Sequence, residues 1–291
     1  MNAFRKFAFW IEYVILRMVA FLINILPYPT AVLIGRKAGI LIYHLLPKKR
    51  KIALDNLHAS FPEKSDVEIH QIARGAFSNM AHMAIEFVCI PKLIKQNMIR
   101  FSNAQNIGNA LKKNLGTILI VSHFTNWEVM AIATGATGFP TRAIARPLKN
   151  PFVYRYVKHL RGLGGVRSID KDGALREVVK DLRQNKVVAF LIDQHERQGA
   201  VVTQLFGRPC YTSSFAVQIA MKFKVPMVAT FCYRGKDGIL TTDYEKEFNL
   251  IDTGNEEKDI QANTQMLVSN MERVIREQPE NWLWMHRRWR I

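Results

Sequence analysis

From Thr117 onward, short runs rich in β-branched and aromatic residues, ILIVSHF, RAIA, VVAFLID and PMVATFCY, alternate with helix-patterned segments, FVYRYVKHLRGL, GALREVVKDLRQ and SFAVQIAMKF. Strands that alternate with helices return to the same sheet through helical crossovers, which makes neighbours parallel and covers both faces. The alternation therefore predicts an α/β fold: a mixed, mostly parallel sheet flanked by helices. Upstream, ALDNLHASF ends at Pro62, and SDVEIHQIARGAFSNMAHMAIEFV then repeats apolar residues at helical spacing behind a Ser65 to Glu68 capping box. That is a helix of about six turns. No internal repeat, low-complexity tract or linker divides the chain, so the expected organisation is a segment 1–46 followed by one domain over 47–291.

Segment 1–46 contains the apolar run FAFWIEYVILRMVAFLINI, Phe7 to Ile25. As a helix it would cover roughly 28 Å, about the thickness of a bilayer's hydrocarbon core. Glu12 and Arg17 stand inside it, and a charge at the centre of a spanning helix costs about 2.5–3.5 kcal/mol. A helix lying in the membrane interface tolerates both, so a monotopic or shallowly inserted anchor is expected; a buried core helix is the competing reading. No A-x-A-like site follows the run, and charge interrupts it, which argues against a signal peptide.

The chain carries 41 Lys and Arg against 24 Asp and Glu, a net charge of +17. So basic a balance points to a polyanionic partner. Residues 1–50 hold +7 and residues 101–161 another +7, so 14 of the 17 excess charges lie in these two stretches. The first is interleaved with apolar sequence rather than placed on a polar arm, which favours an anionic membrane over nucleic acid. A hydrophobic fraction of 48% excludes intrinsic disorder. Three widely spaced cysteines, Cys89, Cys210 and Cys232, exclude a disulfide scaffold and indicate a reducing compartment.

Chemistry is expected where GTILIV opens into Ser122-His123-Phe124-Thr125-Asn126-Trp127-Glu128, because ligands of open α/β sheets collect at strand ends. Histidine is the usual general base for a hydroxyl, but it needs a neighbour to fix its tautomer and stabilise its protonated form. Glu128 is the expected neighbour, provided Asn126 caps the following helix and folds the chain back. A base and its orienter without a protein nucleophile suit direct attack by a substrate hydroxyl on an activated ester. Taken alone, His-x4-Glu is a weak pattern, and a strand-end histidine bound only to backbone satisfies it equally.

Further blocks make it more specific. HFTNWE, His123 to Glu128, is preceded by NLHASFPEKSDVEIHQIARGAFSN and Glu86. It is followed by Ala145-Arg146-Pro147, Asn150-Pro151, Arg161 with Gly164, Asp193-Gln194, Phe206-Gly207-Arg208-Pro209 and the terminal PENWLWMHRR. In this order they resemble the lysophospholipid acyltransferase superfamily, specifically its bacterial lipid A (Kdo-lipid IVA) lauroyl/myristoyl acyltransferase branch. That branch typically writes the first block HFGNWE, so Thr125 replaces a usual glycine at the turn. The resemblance runs from about residue 50 to the C-terminus.

The resemblance implies an O-acyltransferase of lipopolysaccharide biosynthesis at the cytoplasmic face of the inner membrane. It would carry a fatty acyl chain from acyl carrier protein to a hydroxyl of a phosphorylated glycolipid. Its catalytic pair would be His123 and Glu128; its substrate-binding residues would be Asn126, Arg146, Arg161, Asp193 and Gln194. Arg146 and Arg161 suit phosphate because a guanidinium fork matches its oxygens, while Asp193 would position sugar hydroxyls or buttress an arginine, or simply act as a loop acid. No metal, cofactor or covalent intermediate is expected, since neither histidines nor cysteines fall at ligand spacing. An acyltransferase acting on a phosphatidylinositol mannoside or a lysophospholipid, and a non-catalytic basic protein of membrane or nucleic acid, are the alternatives. The terminal Trp282, Trp284 and Trp289 suit core closure or a membrane interface, with Arg287, Arg288 and Arg290 turned to lipid phosphates or the acidic carrier.

Overall fold

The computed structural model describes residues 2–170 and 173–290. Seven strands share one sheet: β1 (Ile99–Ser102), β2 (Thr117–Val121), β3 (Thr141–Ala145), β4 (Arg167–Asp170), β5 (Val187–Leu191), β8 (Met227–Arg234) and β9 (Leu240–Glu247). Their order is β1-β9-β8-β2-β5-β3-β4, and β6 (Ala200–Leu205) pairs with β7 (Arg208–Ser213) as a separate antiparallel hairpin. The strands β8, β2, β5, β3 and β4 are mutually parallel; β9 runs antiparallel to β8 and carries β1 beside it. The sheet is therefore mixed and mostly parallel, as the alternation predicts. The four runs read from the sequence are β2, β3, β5 and β8 at its centre, and the hairpin, the edge strand β4 and the pair β1–β9 are additions.

Alternate residues of the central strands enter two cores. Ile118, Ile120, Val188, Phe190 and Met227 face one, covered by α3 (Pro47–Ser60), α9 (Ala174–Arg183), α10 (Phe215–Phe223) and α11 (Glu256–Glu277). Leu119, Val121, Val187, Ala189 and Val228 face the other, with α5 (Ile90–Lys95), α6 (Ala104–Leu111) and α7 (Trp127–Ala136). Helix α4 (Asp66–Val88) has its capping box complete, Ser65 and Glu68 exchanging hydrogen bonds.

The N-terminal segment forms two helices, α1 (Ala3–Ile25) and α2 (Tyr28–Leu45), rather than one. Only Ala20 and Ile23 of α1 are buried, while Phe4, Phe7, Trp10, Phe21 and Leu22 are about half or more exposed. This excludes the buried core helix. The helix is docked by polar contacts: Asn150 at the start of α8 (Pro151–Gly162) donates to Phe9 O at 2.7 Å and to Glu12 Oε2 at 2.9 Å, and Lys92 Nζ donates to Asn24 O and Leu26 O. Helix α2 lies against α4 through two glycines one turn apart. A Cβ on Gly39 would meet the backbone of Phe77 and Ser78, whereas one on Gly35 would meet the side chain of Ile85.

Under α2, Glu86 of α4 is wholly buried. Arg234 grips it through Nε and Nη2, each at 2.7 Å, while Asn126 Nδ2 (2.8 Å) and Tyr28 Oη (3.3 Å) complete four donors. Burial opposes the charged form, but Arg234's hydrogen bonds and charge outweigh it and hold the Glu86 pKa below the ordinary value. His82 lies 3.2 Å from the same carboxylate, yet its Nε2 has no hydrogen bond among the described residues. Burial, reinforced by the charges of Arg234 and Arg36, pushes its pKa down to about 4 against Glu86's attraction.

Gly39→Ala is expected to cost about 1–2 kcal/mol in thermal unfolding, since overpacking against backbone outweighs the helix propensity gained. Gly35→Ala should cost less, because its Cβ meets the side chain of Ile85 rather than backbone, and equal effects would contradict the closer approach at Gly39. A histidine whose folded pKa lies below its unfolded value stabilises fully above about pH 6.5 and loses that contribution as pH falls towards 4. His82→Gln should therefore flatten the melting temperature across that window, and an unchanged slope would show that another group carries it.

Candidate active site

Parallel pairing of β2 with β5 sets Val121 opposite Leu191. Two residues further on each chain bring His123 and Asp193 side by side, and Ile192 N still donates to Val121 O at 3.2 Å to hold that register past the strand ends. The imidazole Nδ1 lies 2.7 Å from Asp193 Oδ1, and the backbone N–H of His123 donates to Oδ2, also at 2.7 Å. Trp282 Nε1 donates to Oδ2 at 2.9 Å. Asp193 is 2% exposed, and burial disfavours its charge; the neighbouring imidazole and the three donated hydrogen bonds prevail and lower its pKa. A charged carboxylate at Nδ1 makes that nitrogen the proton carrier and leaves the lone pair on Nε2. Nε2 faces partial solvent, 3.2 Å from the amide nitrogen of the exposed Gln194, and the edge of Trp127 covers the ring at a centroid distance of 4.6 Å.

Glu128, expected on the imidazole, is elsewhere. It sits in the first turn of α7, and both its oxygens are taken by Arg161 of α8: Nε to Oε2 at 2.8 Å, Nη2 to Oε1 at 2.6 Å. No hydrogen bond joins His123 and Glu128 among the described residues. The reason is geometric: the helix turns Glu128 towards α8, while the strand register delivers Asp193. Arg161, expected on a phosphate, is correspondingly committed to Glu128 and to Ser168 Oγ at 3.3 Å. Burial weakens its charge, and Glu128's hydrogen bonds more than restore it, so its pKa is raised. Arg146 is 74% exposed after β3, with Glu196 Oε2 at 3.3 Å as its recorded partner.

Asn126 is the helix cap the sequence calls for. Its Oδ1 accepts from Val129 N at 3.0 Å and its Nδ2 is spent on Glu86, so this buried amide supports the turn at both ends instead of facing a ligand. Thr125 holds φ 48, a left-handed conformation that costs a β-branched residue about 1–2 kcal/mol. Its N–H donates to Asn281 O at 2.8 Å, Phe124 bridges to Trp282, and Asn79 Nδ2 reaches both Thr125 O and Asn281 O at 3.4 Å. The C-terminal segment thus clamps the turn.

Of the two roles open to Trp282 the structure shows core closure, whereas Arg288, expected on lipid phosphates or the carrier, turns inward. Arg288 is wholly buried and donates to Gln194 O, Tyr211 O and Thr212 Oγ1, tying the loop after β5 to β7; it faces neither lipid nor carrier. The partnership of Asp193 with His123 escaped the sequence reading. The one available signal is that GTILIVSH and VVAFLID both place a polar residue two positions beyond a buried strand.

Across residues 1–291 the chain matches the family of bacterial lipid A biosynthesis acyltransferases. It is 23% identical over 275 residues to the lipid A biosynthesis palmitoleoyltransferase of Escherichia coli (strain K12), covering 91% of this chain and 86% of that protein. The lipid A biosynthesis lauroyltransferase of the same organism is 23% identical over 285 residues, 94% of this chain and 89% of that one. A lipid A biosynthesis acyltransferase of Haemophilus influenzae is 21% identical over 281 residues, 95% and 85%. With a strand-end histidine and its carboxylate at the centre of the sheet and a family match from end to end, this chain belongs to the bacterial lipid A biosynthesis acyltransferases and is an O-acyltransferase.

Proposed function

We propose that the protein transfers a fatty acyl chain from acyl carrier protein to a hydroxyl of a phosphorylated glycolipid precursor of lipid A, at the cytoplasmic face of the inner membrane. The observation that carries the mechanism is the doubly bound Asp193 carboxylate on His123. Nε2 of His123 takes the proton of the acceptor hydroxyl as its oxygen attacks the thioester carbonyl. The tetrahedral intermediate collapses, the C–S bond breaks, and the imidazolium returns the proton to the departing thiolate. Asp193 fixes the tautomer and stabilises the imidazolium, as a buried carboxylate does for a catalytic histidine in other acyl transfers. Gln194, beside Nε2, is placed to bind the acceptor. Glu128 acts one step away, by holding Arg161 and the helix that carries it against the site.

Residues 1–46 serve as the anchor for the domain over 47–291. Supporting this, α1 is long and apolar enough to cross a bilayer, yet Glu12 is engaged by Asn150 of the domain. A helix tied down along its polar side presents its apolar side to lipid, which favours a monotopic attachment. Arg146, whose ion pair with Glu196 is solvent-exposed, would exchange that partner for the acceptor's phosphate.

Measured with acyl-acyl carrier protein and a lipid A precursor, His123→Ala should abolish transfer with the fold retained. Asp193→Asn should lower kcat by about 10²–10⁴-fold, the cost of a wrongly held tautomer. Glu128→Gln keeps a hydrogen-bonding partner for Arg161 and should retain distinctly more activity than Asp193→Asn. If Glu128→Gln is instead as inactive as His123→Ala while Asp193→Asn is active, Glu128 serves the imidazole and the assignment of Asp193 falls.

A further inference from the structure

Helix α8 has a second face. Beside α1 it borders a groove of about 410 Å³ lined by Tyr13, Arg17, Phe152, Arg155, Tyr156 and His159. Phe152, Tyr156 and His159 recur at i, i+4 and i+7 on α8, and Tyr13 and Arg17 at i and i+4 on α1, so two helical stripes face each other. The polar groups in the lining are two guanidiniums, an imidazole and two phenols, with no carboxylate. Arg17 is held in place: Nη1 donates to Tyr13 Oη at 3.0 Å, and its Cζ lies 4.8 Å from the ring centroid of Tyr156. Arg155 and His159 are exposed and have no hydrogen-bond or ion-pair partner among the described residues. Elsewhere Arg142, Arg161, Arg234, Arg273 and Arg276 each meet a carboxylate.

Neighbours of the lining residues on the same two helices indicate what the groove accepts. Val14, one turn before Arg17, and Met18, next to it, are 39% and 55% exposed, and Leu163, one turn beyond His159, is 43% exposed. A cationic floor bordered by apolar side chains fits an anion that carries alkyl chains, and two guanidinium forks with an imidazole N–H match the oxygens of a phosphate. We infer that the groove between α1 and α8 binds the phosphate of a lipid headgroup at the membrane surface, as a site separate from His123. Two lipids present that chemistry: a bilayer phospholipid and the phosphorylated glycolipid acceptor.

The test uses the full chain with Arg155→Gln/His159→Gln, neither of which supports the fold through a contact. Lys48→Gln/Lys49→Gln, which removes at least as much charge from another exposed site, is the control. Binding is measured to phosphatidylcholine vesicles containing phosphatidic acid or, at matched surface charge, oleate. The unaltered protein should prefer phosphatidic acid, and the groove variant should lose that preference, with roughly five-fold weaker binding per cation removed. The lysine control should weaken both and keep the ratio. In phospholipid-free micelles, a raised KM for the acceptor at unchanged kcat assigns the site to the acceptor; an unchanged KM assigns it to bilayer phospholipid. The micelle arm rests on the proposed acyl transfer, whereas the vesicle arm does not, so an inactive wild type would overturn that function and leave the site standing. No preference in the unaltered protein, or one that survives in the groove variant, overturns the site.

Discussion

Asp193 brings a negative charge to a point that is 2% exposed, and the organisation of the strand ends answers that charge. An ionised carboxylate that loses its water must recover the solvation from fixed donors, or it protonates and loses its hold on the imidazole. The donors come from two distant parts of the chain: the backbone and ring of His123 beyond β2, and the indole of Trp282 near the C-terminus. Hydrogen bonds to a charged group are worth about 1.5–3 kcal/mol each, so removing one donor is felt by the whole constellation. The C-terminal segment is consequently part of the candidate active site through the donor it supplies to Asp193. Arg288 extends the same logic by binding the carbonyl of Gln194, the residue after Asp193.

The turn that carries His123 is held from the opposite side by a second buried carboxylate. Glu86 receives Arg234 and Tyr28, and also the amide of Asn126, whose oxygen caps α7. Asn126 therefore connects an ion pair in the interior to the first turn of the helix that places Glu128. Between the two carboxylates, Thr125 sustains a left-handed backbone that would relax in an unsupported loop. It persists because the N–H on one side and the capped helix on the other leave the chain no cheaper path. Strain of this kind survives only where the surroundings over-determine the conformation, and here they do so from both faces of the turn.

Local periodicity made much of the fold legible. Strands β2, β3, β5 and β8, the capping box of α4, and helices α8, α9 and α10 each write their burial pattern into contiguous residues. The antiparallel β9, LTTDYEKE, buries alternate residues but is polar enough to read as loop. The site was legible in part: His123 follows from its place at a strand end and Asn126 from capping chemistry. The partners of His123 and Glu128 were not, because they depend on register and on helix packing. Asp193 is 70 residues from His123, and Arg161 is 33 from Glu128. A carboxylate five residues from a histidine invites pairing in one dimension; in three dimensions the helix start points it away. Arg288 shows the same limit in reverse, since a basic aromatic tail looks like surface until its carbonyl acceptors are in place.

Charge follows the same division between what sequence places and what the fold pairs. Arg142, Arg161 and Arg234, on or beside the sheet, are neutralised by Asp181, Glu128 and Glu86, so the interior share of the positive excess is silent towards partners. Charge on the two N-terminal helices, at the start of α3 and along the outer face of α8 stays exposed beside the exposed apolar side chains of α1 and α2. Glu12, which weighed against a spanning helix, accepts from Asn150, so its charge lies against the start of α8. The Asn150 that receives α1 also caps α8 through Phe152 and Val153, and α8 is the helix whose last turn carries Arg161 to Glu128. The proposed membrane anchor and the candidate active site thus share one helix, and contiguous hydrogen bonds run from Glu12 of α1 through Asn150 to the start of α8, whose last turn holds the Arg161–Glu128 pair.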